Sequence, residues 1–377
     1  MEKNSRIDYL IISSAYPYRG GISDSTHSLV NEMSNQNINC EVWTFKLLYP
    51  KLFFPGKTQY SKEVFKSNFK ILREINTLNP INWIITARKI NKIGPKKIIF
   101  RYWTPLLSLA YFSISCILKN KIKVIGLVDN WSGHETIFFE NIFRTLFLKS
   151  CDEFISFSDN VGDNLKNNTN KSVLSLFHPI NFHLPEKISK DEALKNLNIP
   201  MNQYILFVGL IRKYKGVDKL IKAFHYLSKE KKDLKLIIAG EFYDNILLYK
   251  KLINRKNISD KVIIDNNFLT SNKIRDYICV SDTVIQPYNK ASQSGITPVA
   301  YFYDKPLVVS NIKGLKETII KDQSGEVFDE TVVNLATAIK NCLNPESNRN
   351  YSNNIYKSKR KYSWSKFVKK LLGLKNW

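Results

Sequence analysis

VSDTVIQPYNKASQSGITPVAYFYDKPLVVSNIKGLKETI, from Val280 to Ile319, is the stretch whose reading decides the fold. It runs strand, loop, helix, strand, loop. Val284-Ile285 is a short apolar run that stops at Pro287, and the polar residues Asn289 to Gly295 follow. Ile296 to Phe302 then winds as a helix, and Pro306 to Ser310 makes a second apolar strand. A small-residue loop that opens a helix leaves backbone N–H groups free at the positive end of the helix dipole, an arrangement suited to a phosphate. Ser292, Ser294 and Thr297 add hydroxyl donors. Polar loops between a strand and a helix are common, so an ordinary connection accounts for the same residues.

Upstream, the same alternation repeats. Tyr204 to Val208 reads as a strand, Gly209 to Gly216 as a loop, and Val217 to Leu227 as a helix. Leu234 to Ala239 is a strand closed by Gly240-Glu241, Val262 to Ile264 another, and Lys273 to Val280 a helix. The first half opens with a strand at Ile7 to Ser13, a turn at Gly20-Gly21 and a helical period over Ser23 to Met33. Asn39 to Phe45 completes a βαβ unit. The glycines would let a ligand approach the backbone at a helix start, and a plain turn explains them equally. Neither G-x-G-x-x-G nor the GK[ST] of a P-loop is present. Residues 46–97 are harder to read beyond a helix-like stretch around 82–92. Ile98 to Phe100 is a strand, Tyr102 to Leu118 a buried helix too short to span a membrane, and Val124 to Val128 a strand. That strand ends in Asp129-Asn130-Trp131-Ser132-Gly133-His134-Glu135, a polar cluster at the strand's carboxyl end, where open α/β sheets place their chemistry. His134 there also suits a helix N-cap or a surface position. A helix at 137–149 and a strand at Glu153 to Ser158 continue the pattern. The proline- and lysine-rich passage 178–203 is the natural linker. Two doubly wound, Rossmann-like α/β domains facing across a cleft are expected.

Composition narrows the partners. The chain carries 57 Lys+Arg against 33 Asp+Glu, a net charge of +24, which implies attraction to something anionic. A generally lysine-rich solvated surface explains part of this. No RNA- or DNA-binding signature accompanies the charge, so an anionic membrane surface or phosphorylated substrates are favoured over nucleic acid. Five scattered cysteines, with no CxxC, argue against a disulfide framework or a zinc site and for a reducing cytosol. The N-terminus reads as a strand and not a signal peptide. The tail, Tyr362 to Trp377, is amphipathic and basic; it suits packing on a domain better than lying on a membrane.

The ordered set of motifs resembles the retaining glycosyltransferases of the GT-B fold, group 1 (GT4). VGLIRKYKGVDKLIKAF (208–224), IIAGE (237–241), SDTVIQPY (281–288), DKPLVVSNIKGLKETI (304–319), DQSGEVFD (322–329), YPYRGGI (16–22) and YSWSKFVKKLL (362–372) are similar to the family's segments, in the family's order. The resemblance implies an acceptor-side domain at 1–180, a nucleotide-sugar domain at 200–361, and a closing helix at 362–377 that returns to the first domain. It implies a UDP- or GDP-linked sugar as co-substrate, no metal, and a glycan or lipid-linked acceptor in surface polysaccharide synthesis. The expected location is the cytoplasm, peripheral on the inner face of the cell membrane.

Carried over position by position, Lys215 and Arg212 would neutralise the donor diphosphate; the family's usual arginine position is Leu210 here. The amides of Ser294, Gly295 and Ile296 would hold the phosphates, with Gly20 and Gly21 approaching from the first domain. His134 would position the donor sugar. Asp129 and Asn130 would shape the acceptor pocket, with Asp129 also able to handle a proton. Gln293, Thr297, Glu241 and Glu317 would contact the sugar or nucleotide, although Glu317 also suits helix capping. The family's paired glutamates fall on Ala291 and Val299, neither acidic, and Gln293 or Thr297 would substitute. That loss keeps open a non-catalytic scaffold or binding protein, and a sugar-nucleotide 2-epimerase as a same-fold option.

Overall fold

The computed structural model describes residues 6–50, 56, 58–61, 67–119, 121–131, 140–181 and 184–373. The chain forms two compact units, one of residues 1–179 with 364–377 and one of residues 180–363.

The first unit runs β1 (Tyr9–Ile12), α1 (Gly21–Asn35), β2 (Cys40–Leu47), β3 (Lys70–Asn76), α2 (Pro80–Ile93), β4 (Lys97–Tyr102), α3 (Ser108–Ile117), β5 (Lys123–Val128), α4 (Glu140–Ser150), β6 (Glu153–Ser156), α5 (Asp159–Lys166) and β7 (Val173–Ser175). Its strands make one parallel seven-stranded sheet in the order β3-β2-β1-β4-β5-β6-β7. Successive side chains of β1 face opposite ways, as a strand's period of two requires. Leu10 and Ile12 join a core with Trp83, Ala87 and Ile90 of α2, Tyr111 and Ile114 of α3 and Phe147 of α4. Tyr9 and Ile11 join a second core with Leu29, Val30 and Met33 of α1. Helices therefore cover both faces, which is why the central strands read as unbroken apolar runs.

The second unit runs α6 (Lys190–Leu197), β8 (Gln203–Val208), α7 (Val217–Glu230), β9 (Leu234–Ala239), α8 (Ile246–Arg255), β10 (Val262–Asp265), α9 (Ser271–Val280), β11 (Thr283–Gln286), α10 (Ile296–Phe302), β12 (Leu307–Ser310), α11 (Lys316–Asp322), β13 (Gly325–Phe328), α12 (Val332–Cys342) and α13 (Pro345–Ser358). Its six parallel strands take the order β10-β9-β8-β11-β12-β13. In each sheet the order reverses once, between β1 and β4 and between β8 and β11. Those switch points open a crevice at the strands' carboxyl ends.

Two stretches differ from the sequence reading, and a third, the tail, packs on the first unit as expected. The passage 178–203 is not a free linker, because Ser189 caps α6 with Asp191 and Glu192 in its first turn, and the helix belongs to the second unit. The apolar run after Tyr102 is not one buried helix: a 3-10 turn at Pro105–Leu107 leaves Leu106 exposed, and α3 covers the sheet on one side and leaves Leu109 exposed on the other. The tail helix α14 (Trp364–Leu371) buries Trp364, Phe367, Val368 and Leu371 in the second core of the first unit, with Phe367 stacked on Phe157 at 5.1 Å. Its apolar face is thereby occupied, which leaves none for a bilayer.

Candidate functional site

In the second unit the switch point brings together the loops after β8 and β11. The first, Gly209 to Gly216, extends the pairing of β8: Ile211 N–H donates to the Glu241 carbonyl (2.9 Å) and Tyr243 N–H to the Ile211 carbonyl (2.9 Å). A single 3-10 turn at Lys213–Lys215 then ends at Gly216, in the left-handed region at φ 66°. Only glycine fits there. A Cβ would meet the Pro287 carbonyl oxygen far inside contact distance, so the backbone of this loop lies directly against the loop after β11. The Asn289 N–H closes the junction by donating to the Tyr214 carbonyl at 2.7 Å.

This junction sets the charged groups. Lys215 Nζ stands 5.2 Å from the centroid of the buried Tyr288 ring, and Tyr214 meets the same ring edge-on at 6.3 Å. A hydrogen bond joins the Tyr288 and Ser294 side chains. Desolvation lowers the Lys215 pKa; the neighbouring Arg212 lowers it further, against an opposing contribution from Tyr214. Among the described residues no carboxylate lies in ion-pair range of Lys215. Arg212 lies over the Tyr243 ring at 5.1 Å. A desolvated cation without a carboxylate, fixed on an aromatic ring at the sheet's switch point, is a ready receptor for an anion.

The other expected contacts are partly taken up internally. The Ile296 N–H donates to Ser294 Oγ at 3.2 Å, so that amide is committed to the loop itself. Gly295 is exposed at the start of α10. Thr297 Oγ1 exchanges hydrogen bonds with the Gln286 side chain (3.1 and 3.3 Å), and Gln293 is half-buried just before Ser294. Glu241 is buried beside Gly240, whose φ of 142° and contact with Gly209 leave no room for a side chain. Glu317 Oε2 accepts from the Gly314 N–H at 2.6 Å, a local cap on α11. Ala291 in this loop and Val299 in α10 present no carboxylate.

In the first unit, Gly20 (φ 108°) precedes α1 and Gly21 starts it; a Cβ on either would meet nothing within 4 Å. Asp129 takes a different part from the one expected. Both its carboxylate oxygens accept from Arg101, from Nε and Nη2, each at 2.7 Å, and its side chain is buried. Arg101 also donates to Thr26 Oγ1 (2.9 Å), Ser25 Oγ (2.7 Å) and the Ile22 carbonyl (3.1 Å), and lies over Phe157 at 5.0 Å. The buried guanidinium thus holds the carboxylate at both oxygens. The pair instead fixes the first turn of α1, which bears Gly20-Gly21. Asn130 is half-buried beside it, and His134 lies outside the described residues.

Sequence reading missed three groups here. Arg101 was signalled only by a cation in the apolar strand β4. His27 Nε2 accepts from the Tyr16 N–H (3.1 Å), and burial pushes its pKa down to about 4. Tyr288 gave no sign of its role, since an aromatic after a strand is usually core.

Residues 189–361, nearly the whole second unit, match the model of the family described as glycosyl transferases group 1. The chain is similar to an uncharacterized glycosyltransferase (MJ1069) of Methanocaldococcus jannaschii, 24% identical over 256 residues, covering 65% of this chain and 63% of that protein. The aligned part thus spans less than two thirds of that relative. Among solved structures, sucrose-phosphate synthase from Thermosynechococcus elongatus superposes with a TM-score of 0.78 at 14% identity, over 97% of this chain and 98% of the other. The Anabaena protein Alr3699/HepE, solved with UDP and glucose, gives a TM-score of 0.72 at 12% identity, over 98% and 100%. The fold is that of the GT-B glycosyltransferases. The segment that matches this family model includes both switch-point loops, and Lys215, Tyr288 and Ser294 lie within it.

Proposed function

We propose that this chain is a retaining glycosyltransferase that moves a hexosyl group from a UDP- or GDP-linked donor to a glycan or lipid-linked acceptor, in the synthesis of a surface polysaccharide. The observation that carries the reading is Lys215: a desolvated ammonium held on Tyr288, beside Arg212, without a carboxylate partner among the described residues. Breaking the sugar–phosphate bond leaves negative charge on the departing diphosphate. A cation fixed in place before the reaction stabilises that charge more as it grows, which lowers the barrier. Arg212 stands beside Lys215 on the first loop, and the exposed Gly295 backbone lies on the second. The UDP bound to Alr3699/HepE supports a nucleotide donor for this chain too. The first unit takes the acceptor, with Asn130 beside its pocket, and the Arg101–Asp129 pair holding the Gly20-Gly21 turn in place.

The apolar Ala291 and Val299 favour one rival, a GT-B scaffold without catalysis. A thermal-shift screen against UDP, GDP, ADP and their sugar conjugates separates the two. Under the transferase reading one nucleotide raises the melting temperature by mass action, and Lys215→Ala abolishes the rise. No rise with any nucleotide favours the scaffold.

A further inference from the structure

We propose that the outer face of the α2–α3 layer of the first unit docks onto an anionic lipid bilayer. On α2, Trp83, Thr86, Ala87 and Ile90 are buried against the sheet. The opposite stripe, at helical spacing, is Ile81, Ile84, Ile85, Arg88 and Lys92. Its three isoleucines are 69%, 40% and 47% exposed, where a surface helix ordinarily places polar residues. The adjacent segment adds Leu106, in the 3-10 turn before α3, and Leu109 of α3, 41% and 42% exposed, from the stretch that had read as a buried helix. α2 and α3 pack against each other, and both carry exposed large apolar side chains, the kind of surface that marks an interaction site when the side chains lie together.

Charge decides the occupant. Among their described residues α2 and α3 carry no acidic side chain, and α2 carries Arg88, Lys89 and Lys92. Lys89 is paired with Glu74 at 2.8 Å, while no carboxylate pairs with Arg88 or Lys92 among the described residues. A second copy of a chain with net charge +24 would bring like charges together on this face. An anionic bilayer satisfies both halves of the stripe. The isoleucines and leucines enter the boundary between headgroups and acyl chains, and the cations reach the lipid phosphates. The inference does not rest on the transferase reading, because it concerns a different surface and a different ligand.

Co-sedimentation with phosphatidylglycerol/phosphatidylcholine vesicles, against pure phosphatidylcholine, tests it. Cys116 supplies a second readout: it is the exposed cysteine, the other four being buried, and it lies two turns beyond Leu109 on the same stripe. An environment-sensitive fluorophore there should shift to the blue on anionic vesicles. Ile81→Ser/Ile84→Ser/Ile85→Ser should weaken binding roughly tenfold or more and abolish the shift. Arg88→Glu/Lys92→Glu should weaken binding and flatten its salt dependence. All five positions are exposed, so unchanged melting temperatures are expected. The proposal is overturned if the wild-type chain ignores anionic vesicles, or if both variants bind as it does. It is also overturned if sedimentation velocity shows the isoleucine variant dissolving a dimer while vesicle binding is untouched.

Discussion

Replacing Gly216 by alanine tests how the site is held together. Gly216 adopts φ 66°, so any side chain there pays the left-handed penalty of about 1 kcal/mol. The added Cβ would also lie about 1 Å closer to the Pro287 carbonyl oxygen than the 3.0 Å that real Cβ atoms keep. Since that neighbour is backbone, one loop must withdraw, and overpacking of this kind costs about 1–3 kcal/mol. The sum, about 2–4 kcal/mol, should lower the melting temperature of the second unit by roughly 4–16 °C. Withdrawal also strains the Asn289–Tyr214 hydrogen bond and moves Lys215 off Tyr288. Affinity for the nucleotide that binds, UDP or GDP, measured by calorimetry well below the new melting temperature, should therefore fall alongside stability. Gly20→Ala is the control, because its Cβ meets open space and only the φ penalty applies. If Gly216→Ala melts within about 2 °C of wild type and binds nucleotide equally well, the junction does not position the site.

Other residues give shorter tests. Tyr288→Leu removes the ring beneath Lys215 and should weaken nucleotide binding roughly fivefold or more, whereas Tyr288→Phe keeps the ring and should cost less; calorimetric titrations would reveal equal losses if the ring does not matter. Arg101→Met leaves Asp129 buried without its partner and should destabilise the first unit by about 3–5 kcal/mol in denaturant titrations, with Arg101→Met/Asp129→Leu recovering most of it. His27 is buried neutral with a pKa near 4, against an ordinary 6.5. Its contribution to stability is therefore intact above pH 6.5 and lost as pH falls toward 4, by up to about 3 kcal/mol. His27→Gln, which can still accept from the Tyr16 N–H, should flatten the stability profile across that window.

The alternation of apolar strands with helical periods was enough to place two doubly wound sheets, because parallel strands buried on both faces leave continuous apolar runs. Lys215 was reached only through the resemblance, by its place in the segment VGLIRKYKGVDKLIKAF. What could not be read was the partner of each polar group. Asp129 looked available because Arg101, twenty-eight positions earlier in the chain, is brought beside it only by the pairing of β4 with β5. Thr297 and Glu317 looked available because their local partners, Gln286 and the Gly314 amide, depend on side-chain direction and not on spacing. The exposed face of α3 was missed because an apolar run carries no mark of which side the sheet covers.

The central claim is that Lys215 receives the diphosphate of a nucleotide-sugar. Calorimetric titration of UDP and of GDP into the wild-type chain and Lys215→Ala, repeated across a pH series, tests it most directly. One nucleotide should bind, and the variant should lose about 1.5–3 kcal/mol, roughly tenfold to a hundredfold in affinity. Wild-type affinity should decline as rising pH deprotonates a lysine whose pKa lies below its ordinary value, a decline absent from Lys215→Ala. Equal affinity in the two proteins, or no binding of either nucleotide, would contradict the account.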